Sequence, residues 1–223
     1  MSQLLRWQVG AVHITRIQEL EAPGMRFIVP QATIDNLAGI QWLSPFLAPN
    51  GDAMGSVHTL VVEVAEQCVL VDTCIGNDKE RRIPSWNKRQ GPFLTQLIEA
   101  GYPPESIDIV ICTHLHTDHV GWNTRLRGER WVPTFPRARY LVARPEWEHW
   151  SQSEEHWSQI VMADSVRPIF EAGLVDLVDV HHIVHETIRF EPTPGHTPGH
   201  VSVYIASQGE EAVITGDLVH HPC

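Results

Sequence analysis

The most constraining feature of the sequence is the segment at residues 113–121, which reads THLHTDHVG and directly follows an apolar run at residues 107–112. Within six positions it holds four side chains that can bind a metal ion, namely His114, His116, Asp118 and His119. Ligands on one helix face lie three or four positions apart, so these closer spacings suit a loop that converges on a cation. Burying the four groups together without a cation would be costly. The segment therefore predicts a metal site on a loop at the end of a buried strand.

Two later segments carry one candidate ligand each. His196 lies in the run PGHTPGH at residues 194–200, where glycines and prolines fix the backbone and can hold an imidazole rigidly. Asp217 lies in the run TGD, again at the end of an apolar strand. Alone, neither residue would mean much, because single histidines and Gly-Asp turns are common. Together with residues 113–121 they fit a mixed α and β fold that gathers functional side chains from the ends of different strands.

The remaining pattern predicts a single domain, since the sequence contains no repeat, low-complexity tract or linker. Residues 58–64 and 68–72 predict a β-hairpin, because both are β-branched or apolar runs separated by a short polar stretch. Pro92 and Gly101 mark the start and the end of a predicted helix.

We divide the chain into an N-terminal part, residues 1–56, and a metal-binding core, residues 57–223. The N-terminal part opens with a predicted strand. Residues 21–56 then combine many prolines and glycines with large apolar side chains. Two interpretations stay open: an apolar arm or lid that covers the site or contacts a partner, and a segment that simply wraps the core.

Composition excludes some classes of function. The net charge of -11 disfavours a nucleic-acid surface, which needs concentrated lysine and arginine. No apolar run approaches the roughly 18 residues that a membrane span requires, and no secretory signal is evident, so we expect a cytoplasmic protein. Cysteines are scattered without a CxxC pair, and we expect free thiols at Cys68, Cys74, Cys112 and Cys223.

The motifs resemble those of the metallo-β-lactamase superfamily. Residues 114–119 match its HxHxDH signature, and His196 and Asp217 match its next two motifs in the same order. The resemblance runs from about residue 58 to the end of the sequence. It implies an α+β fold, the αββα sandwich, with the metal site at one edge between the two sheets.

The resemblance also implies a ligand set for two metal ions. His114, His116 and His196 would hold the first ion, Asp118 and His119 the second, and Asp217 would bridge them. Asp72, at the end of a predicted strand, resembles the buried aspartate that supports the site from behind its ligands.

Nitrogen and oxygen ligands without a thiolate favour zinc, with iron or manganese left open. His116 stands where the electron-transfer branch of the superfamily usually has glutamate, which favours the hydrolytic branch. A hydroxide bridging the two ions would be the nucleophile. Asp118 would also act in catalysis, by orienting that nucleophile and relaying a proton.

Family members have one more histidine ligand, some 40 or more residues beyond the bridging aspartate, whereas this sequence stops six residues after Asp217. We therefore expect a chain that is incomplete at its C-terminus and has a weakened second metal site. His220 and His221 are candidate substitute ligands.

Residues 71–79, 119–124 and 132–136 resemble the lactonase and organophosphate-hydrolase-like group within the superfamily. The expected activity is hydrolysis of a lactone or carboxylic ester, with an apolar acyl or aryl group bound against residues 21–56. Phosphotriester hydrolysis is the alternative reaction. A truncated remnant that keeps metal without catalysis is the alternative from another class. A homodimer also stays open.

Overall fold

Two β-sheets packed face to face form the body of the protein in a computed structural model that describes residues 4–222. In chain order the strands are β1 (Arg6–Val9), β2 (Val12–Pro23), β3 (Met54–Val64), β4 (Gln67–Val71), β5 (Ile109–Cys112), β6 (Thr124–Arg127), β7 (Arg130–Pro133), β8 (Arg139–Ala143), β9 (Val175–Val178), β10 (Ile183–His185), β11 (Ile188–Pro192), β12 (Val201–Ser207) and β13 (Glu210–Ile214). The larger sheet has the order β1-β2-β3-β4-β5-β8-β9, and the smaller has the order β10-β11-β12-β13. Strands β6 and β7 form a separate hairpin.

The larger sheet changes from antiparallel to parallel pairing at β4. Strands β1 to β4 pair antiparallel, whereas β4, β5, β8 and β9 run parallel. The C-terminal ends of β4 and β5 therefore lie side by side. This pairing puts Asp72 and residues 113–121, which follow those two strands, at the same edge of the sheet.

All of the short helices except the first cover the outer face of the larger sheet. The helices are α1 (Ile34–Leu37), α2 (Phe93–Glu99), α3 (Arg144–Ser151), α4 (His156–Val161) and α5 (Arg167–Glu171), and a π-helical turn at Met162–Val166 joins the last two. Helix α2 buries Phe93 and Leu97, and α5 buries Ile169, in the core on this face. Within residues 4–222, no helix has the length and apolar content needed to cross a membrane.

A second core fills the space between the two sheets. Along β4 the side chains alternate, so that Leu70 faces the helices while Val69 and Val71 face the smaller sheet. The smaller sheet contributes Phe190 and Val203, among others, to the same layer. Both cores are continuous and apolar, which is the main stabilising contribution in a domain of this size. The predicted α+β fold of the metallo-β-lactamase type is confirmed, and within residues 4–222 the α-helices outside the segment between β2 and β3 pack on the larger sheet.

The predicted hairpin and helix are confirmed. Strands β3 and β4 pair with Val64 opposite Gln67, leaving a two-residue turn in which Ala65 adopts a left-handed backbone with φ of 51°. Helix α2 follows Pro92 and ends before Gly101, whose φ is 103°. The predicted N-terminal strand corresponds to two strands, β1 and β2, which pair with each other. The expected free thiols are confirmed for Cys68, Cys74 and Cys112, while Cys223 lies outside the described residues.

The segment between β2 and β3, which we call the arm (residues 24–53), has a small core of its own. It contains α1 and two 3₁₀ turns, Met25–Phe27 and Gln41–Phe46. Its buried apolar side chains are Met25, Ala32, Leu37, Leu43 and Ala53. Other large side chains remain outside, with Phe27 79% and Trp42 60% exposed.

A buried ion network attaches the loop between β4 and α2 to the π-helical turn. Asp164 receives two hydrogen bonds from the guanidinium of Arg81, at 2.7 and 3.0 Å. The ammonium of Lys79 donates to the carbonyl of Asp164 at 2.9 Å, and burial lowers the Lys79 pKa to about 7. All three side chains are buried. The carboxylate of Asp164 is therefore the counter-charge of two buried basic groups.

Replacing Asp164 with asparagine should lower the free energy of unfolding by about 3–5 kcal/mol, because it leaves the buried Arg81 guanidinium without its counter-charge. Urea unfolding followed by tryptophan fluorescence measures the loss. The matched control is Asp176→Asn, which breaks the half-exposed pair of Asp176 with Arg139 and should cost at most about 1 kcal/mol. Equal losses in the two variants would contradict the prediction.

Candidate metal centre

The loop after β5 presents His114 with one ring nitrogen free to act as a ligand. His114 Nδ1 lies 3.1 Å from the hydroxyl of Thr113, and that hydroxyl donates its proton to Asp72 at 2.8 Å. Because the hydroxyl has only one proton, it accepts from His114, so we assign the ring proton to Nδ1 and a lone pair to Nε2. Nε2 is buried and has no hydrogen-bond partner within residues 4–222. A buried acceptor of this kind is costly unless a cation satisfies it.

The structure brings His114 together with His116, His196 and Asp217, although the four residues come from three separate loops. One donor atom from each lies within 4.8 Å of the donor atoms of the others. His196 Nε2 lies 2.8 Å from His116 Nδ1 and 3.1 Å from Asp217 Oδ2. Three imidazole nitrogens and a carboxylate oxygen form a donor set that Zn²⁺ accepts. The residues present therefore fit a divalent cation.

The two oxygens of Asp217 face two different groups of side chains. Oδ2 lies 3.8 Å from His114 Nε2 and 3.1 Å from His196 Nε2. Oδ1 lies 3.1 Å from His119 Nε2, which in turn lies 3.7 Å from Asp118 Oδ2. The carboxylate is thus placed between the two groups of residues predicted to hold the first and the second ion.

Asp72 supports both groups from the end of β4. Its carboxylate accepts from the backbone N–H of Thr113 at 2.8 Å and lies 2.8 Å from His119 Nδ1. A carboxylate can only accept here, so His119 donates from Nδ1 and turns Nε2 toward Asp217. Asp72 itself adopts a left-handed backbone, with φ of 58°. The contacts are those that the predicted supporting role of Asp72 requires.

Electrostatics keeps the first group of histidines neutral. Burial and the neighbouring His196 lower the pKa of His116 to about 4, and burial with the surrounding imidazoles lowers the pKa of His114 well below its ordinary value. Burial opposes a charge on His119, but Asp72 and Asp118 outweigh burial and raise the His119 pKa well above its ordinary value. Neutral imidazoles are the form that binds metal.

The structure separates the two candidate substitute ligands. His220 Nε2 lies 3.2 Å from Asp217 Oδ2, on the side that also faces His196. It therefore lies beside the first group and not beside Asp118 and His119. The ring of His221 packs edge-on against Phe46 of the arm, and its Nε2 lies 3.4 Å from the Phe46 carbonyl. That either histidine substitutes for the missing ligand stays a prediction.

One residue with a clear place in the site is absent from the predicted set. The backbone N–H of Asp217 donates to Nε2 of the buried His200 at 3.0 Å. His200 must then carry its proton on Nδ1, which lies 2.8 Å from the Thr193 hydroxyl. This contact fixes the backbone of Asp217. In the sequence, His200 is visible only as the second histidine of PGHTPGH. A loop sequence alone does not show that this histidine is buried.

Three members of the cluster, His116, His196 and Asp217, line a cavity of about 480 Å³. Asp118 and His119 line it too. The arm contributes apolar side chains to its wall, and the loop between β4 and α2 contributes more: Met25, Phe27, Ile28, Ile83 and Trp86. The cavity thus joins a polar base to a largely apolar wall, the combination typical of small-molecule sites.

Comparison with known proteins agrees with the fold and the motifs. The sequence profile of the metallo-beta-lactamase superfamily matches residues 53–223, so the chain belongs to that superfamily.

Among curated relatives, the chain is similar to an N-acyl homoserine lactonase of a Bacillus species, with 31% identity over 170 residues that cover 71% of this chain and 61% of the relative. It is also similar to the probable metallo-hydrolase YybB of Bacillus subtilis strain 168, with 26% identity over 162 residues that cover 73% of this chain and 61% of YybB. The chain spans about 61% of the length of these relatives.

Solved structures show the same fold at low sequence identity. The crystal structure of hydrolase AbOPH in the beta lactamase superfamily superposes with a TM-score of 0.77 at 22% identity, covering 99% of this chain and 75% of AbOPH. AidC, a dizinc quorum-quenching lactonase in complex with a product, superposes with a TM-score of 0.71 at 20% identity, covering 94% of this chain and 72% of AidC.

Proposed function

We propose that the protein is a metal-dependent hydrolase that opens lactones or cleaves carboxylic esters carrying an apolar acyl or aryl group. The observation that carries the proposal is the cluster of His114, His116, His196 and Asp217, the last three of which line a cavity that also has apolar lining residues. Membership of the metallo-beta-lactamase superfamily and the likeness to curated lactonases support the same reaction class.

We assign the ligands of two zinc ions as the sequence motifs predict them. His114, His116 and His196 would hold the first ion, Asp118 and His119 the second, and Asp217 would lie between them. The opposite orientation of the two Asp217 oxygens supports this assignment. Bound divalent cations lower the pKa of water, so that hydroxide is available near neutral pH, and they polarise a carbonyl oxygen.

The chain's own residues would orient the reactants and move the proton. Asp118, whose side chain lines the cavity, would align the attacking oxygen with the carbonyl carbon. The carbon–oxygen bond to the leaving alcohol breaks, and in a lactone this opens the ring. Asp118 would take up the proton that the attacking water loses and then deliver it to the leaving alkoxide. The new carboxyl group would lose its own proton to solvent, so that the products are a carboxylate and a free hydroxyl.

The arm would select the substrate by providing the apolar side of the cavity. Met25, Phe27 and Ile28 line the same cavity as the predicted ligands, so an acyl chain or an aromatic ring bound against them would be shielded from water. Small polar lactones should therefore be poorer substrates than lactones with an acyl tail. Of the two interpretations of the arm, this proposal adopts the one in which it covers the site.

Removing metal should abolish turnover, because the proposed chemistry depends on it. The protein is loaded with zinc, freed of excess metal, and assayed with a panel of acyl lactones, aryl esters and phosphotriesters, before and after dialysis against a chelator. We expect hydrolysis of at least one lactone or ester, its loss by more than about 100-fold on chelation, and recovery on zinc addition. Turnover of phosphotriesters alone would contradict the proposed lactone or ester substrate and favour phosphotriester hydrolysis. No turnover by a folded, zinc-loaded protein would refute the enzyme proposal in favour of a metal-binding remnant.

A further inference from the structure

Glu146 is a buried carboxylate, 1% exposed, in the first turn of α3. Each of its oxygens accepts two hydrogen bonds. Oε1 accepts from the backbone N–H of Leu115 at 3.0 Å and from the indole N–H of Trp150 at 2.6 Å. Oε2 accepts from the hydroxyl of Thr197 at 2.8 Å and from the backbone N–H of Gly199 at 2.9 Å. Three of the partners can only donate and the Thr197 hydroxyl donates as well, so both carboxylate oxygens act as acceptors.

Three of the four donors belong to the two loops that carry the histidines of the first group. Leu115 stands between His114 and His116, and Thr197 directly follows His196. Gly199 lies so close to α3 that a Cβ atom there would come within 2.2 Å of the backbone nitrogen of Glu146. One carboxylate therefore connects two loops that are far apart in the sequence.

The carboxylate of Glu146 is not balanced in the way that the buried carboxylate of Asp164 is. Asp164 pairs with Arg81 and Lys79, whereas within residues 4–222 no basic side chain forms an ion pair with Glu146. Burying an anion without a cation is expensive, and a fold alone is often served equally well by apolar side chains at such a position. Three of the hydrogen bonds of Glu146 come from the loops that carry the candidate ligands. This arrangement favours a role for Glu146 in the metal centre over a role in general stability.

We propose that Glu146 is a positioning residue of the metal centre, which sets the distance between the loop of His114 and His116 and the loop of His196. The inference rests on the proposed metal site and adds to it a residue outside the predicted ligand set. Loss of the Glu146 charge should let the two loops separate and spoil the convergence of the three imidazoles. Residues that orient metal ligands typically contribute about 10–100-fold to metal affinity or activity.

Glu146→Gln is the sharpest variant, because it keeps the shape of the side chain. Its amide group would direct N–H bonds at two donors that need an acceptor, so one of the two loops must move. Glu146→Asp keeps the charge on a shorter side chain and should restore part of the function. Thr197→Val removes a single hydrogen bond at constant shape, and Thr197→Ser keeps the hydroxyl, so this pair tests the same connection with less risk to folding.

The readouts are zinc affinity, by competition with a chromophoric chelator, and the absorption spectrum of the Co²⁺-substituted protein. Urea unfolding in the presence of chelator records stability separately. We expect Glu146→Gln to bind zinc about 10–100-fold more weakly, with altered Co²⁺ bands, and Glu146→Asp to lie between it and the wild type. Thr197→Val should weaken zinc binding in the same direction, and Thr197→Ser should not. Asp164→Asn, the matched buried carboxylate that contacts neither loop, should lose stability but keep the wild-type zinc affinity and Co²⁺ spectrum.

Wild-type zinc affinity and Co²⁺ spectrum in Glu146→Gln would overturn the inference, whatever its stability. An equal loss of zinc affinity in Asp164→Asn would overturn it too, because the effect would then follow stability alone. If Glu146→Gln does not fold, the two Thr197 variants decide the question by themselves. Because the readout is ion binding, failure of hydrolysis in a zinc-binding wild type would refute the proposed reaction and leave this inference standing. A wild type that binds no zinc would overturn both.

Discussion

Replacing His116 with alanine should reduce the amount of bound zinc and lower the rate of hydrolysis by more than about 100-fold. Residues that only orient metal ligands typically contribute about 10–100-fold, and we expect the loss of a ligand to cost more. His116 Nδ1 lies 2.8 Å from His196 Nε2, so the substitution removes one donor from the middle of the cluster. The remaining donors cannot close a tetrahedral site without recruiting water. Metal content per chain by mass spectrometry and initial rates on the best substrate of the panel measure the two effects.

His181→Ala is the matched control, since His181 is exposed in a turn before the smaller sheet and takes no part in the cluster. It should retain zinc and turnover. Because burial and His196 hold the pKa of His116 to about 4, that ring is neutral at assay pH, and its loss does not change the net charge of the site. Wild-type rates in His116→Ala would refute the assignment of this residue as a ligand.

Replacing Asp72 with alanine should lower metal affinity and turnover by about 10–100-fold, even though Asp72 is not itself a predicted ligand. The substitution removes the acceptor of Thr113 and of His119 at once. His119 would lose the partner that holds its Nδ1 proton, and its ring could then rotate or change tautomer. The hydroxyl of Thr113 would also be released, and with it the contact that orients His114.

Zinc titrations and steady-state kinetics test the prediction. Asp72→Asn separates two effects, because its amide keeps an oxygen acceptor but lacks the charge. We expect Asp72→Asn to lie between the wild type and Asp72→Ala in affinity for zinc. Identical zinc affinity in all three proteins would show that Asp72 serves the fold alone.

The candidate ligands could be named from the sequence because ligand chemistry leaves a local pattern. Three histidines and an aspartate within residues 113–121 are rare without a metal. The apolar strand before them indicated that this segment is a loop at the end of a buried strand. The residues that hold the ligands leave no such pattern. Glu146 follows a proline at the start of a helix, where a glutamate usually lies on the surface and interacts favourably with the helix N-terminus. Its burial becomes visible only in the folded structure, where Gly199 packs against α3.

The neighbouring histidines His220 and His221 also have positions that a local sequence pattern does not predict. Adjacent residues of an extended segment point to opposite sides, so one of them must turn away from any site that the other faces. Which of them does so depends on the arm, since His221 packs against Phe46. That contact joins residues from the two ends of the chain, and no local pattern could have predicted it.

The candidate ligands come from both sheets, since residues 113–121 follow β5 of the larger sheet while His196 and Asp217 flank β12 and β13 of the smaller. An ion held between them would act as a clamp across the sandwich, present only when the two sheets are docked. Thermodynamic linkage then makes the free energy of the docked state depend on the free metal concentration. At 100 times its dissociation constant, a single ion would add about 2.7 kcal/mol to the free energy of unfolding. Removing such an ion would therefore lower the free energy of unfolding in addition to removing the proposed activity.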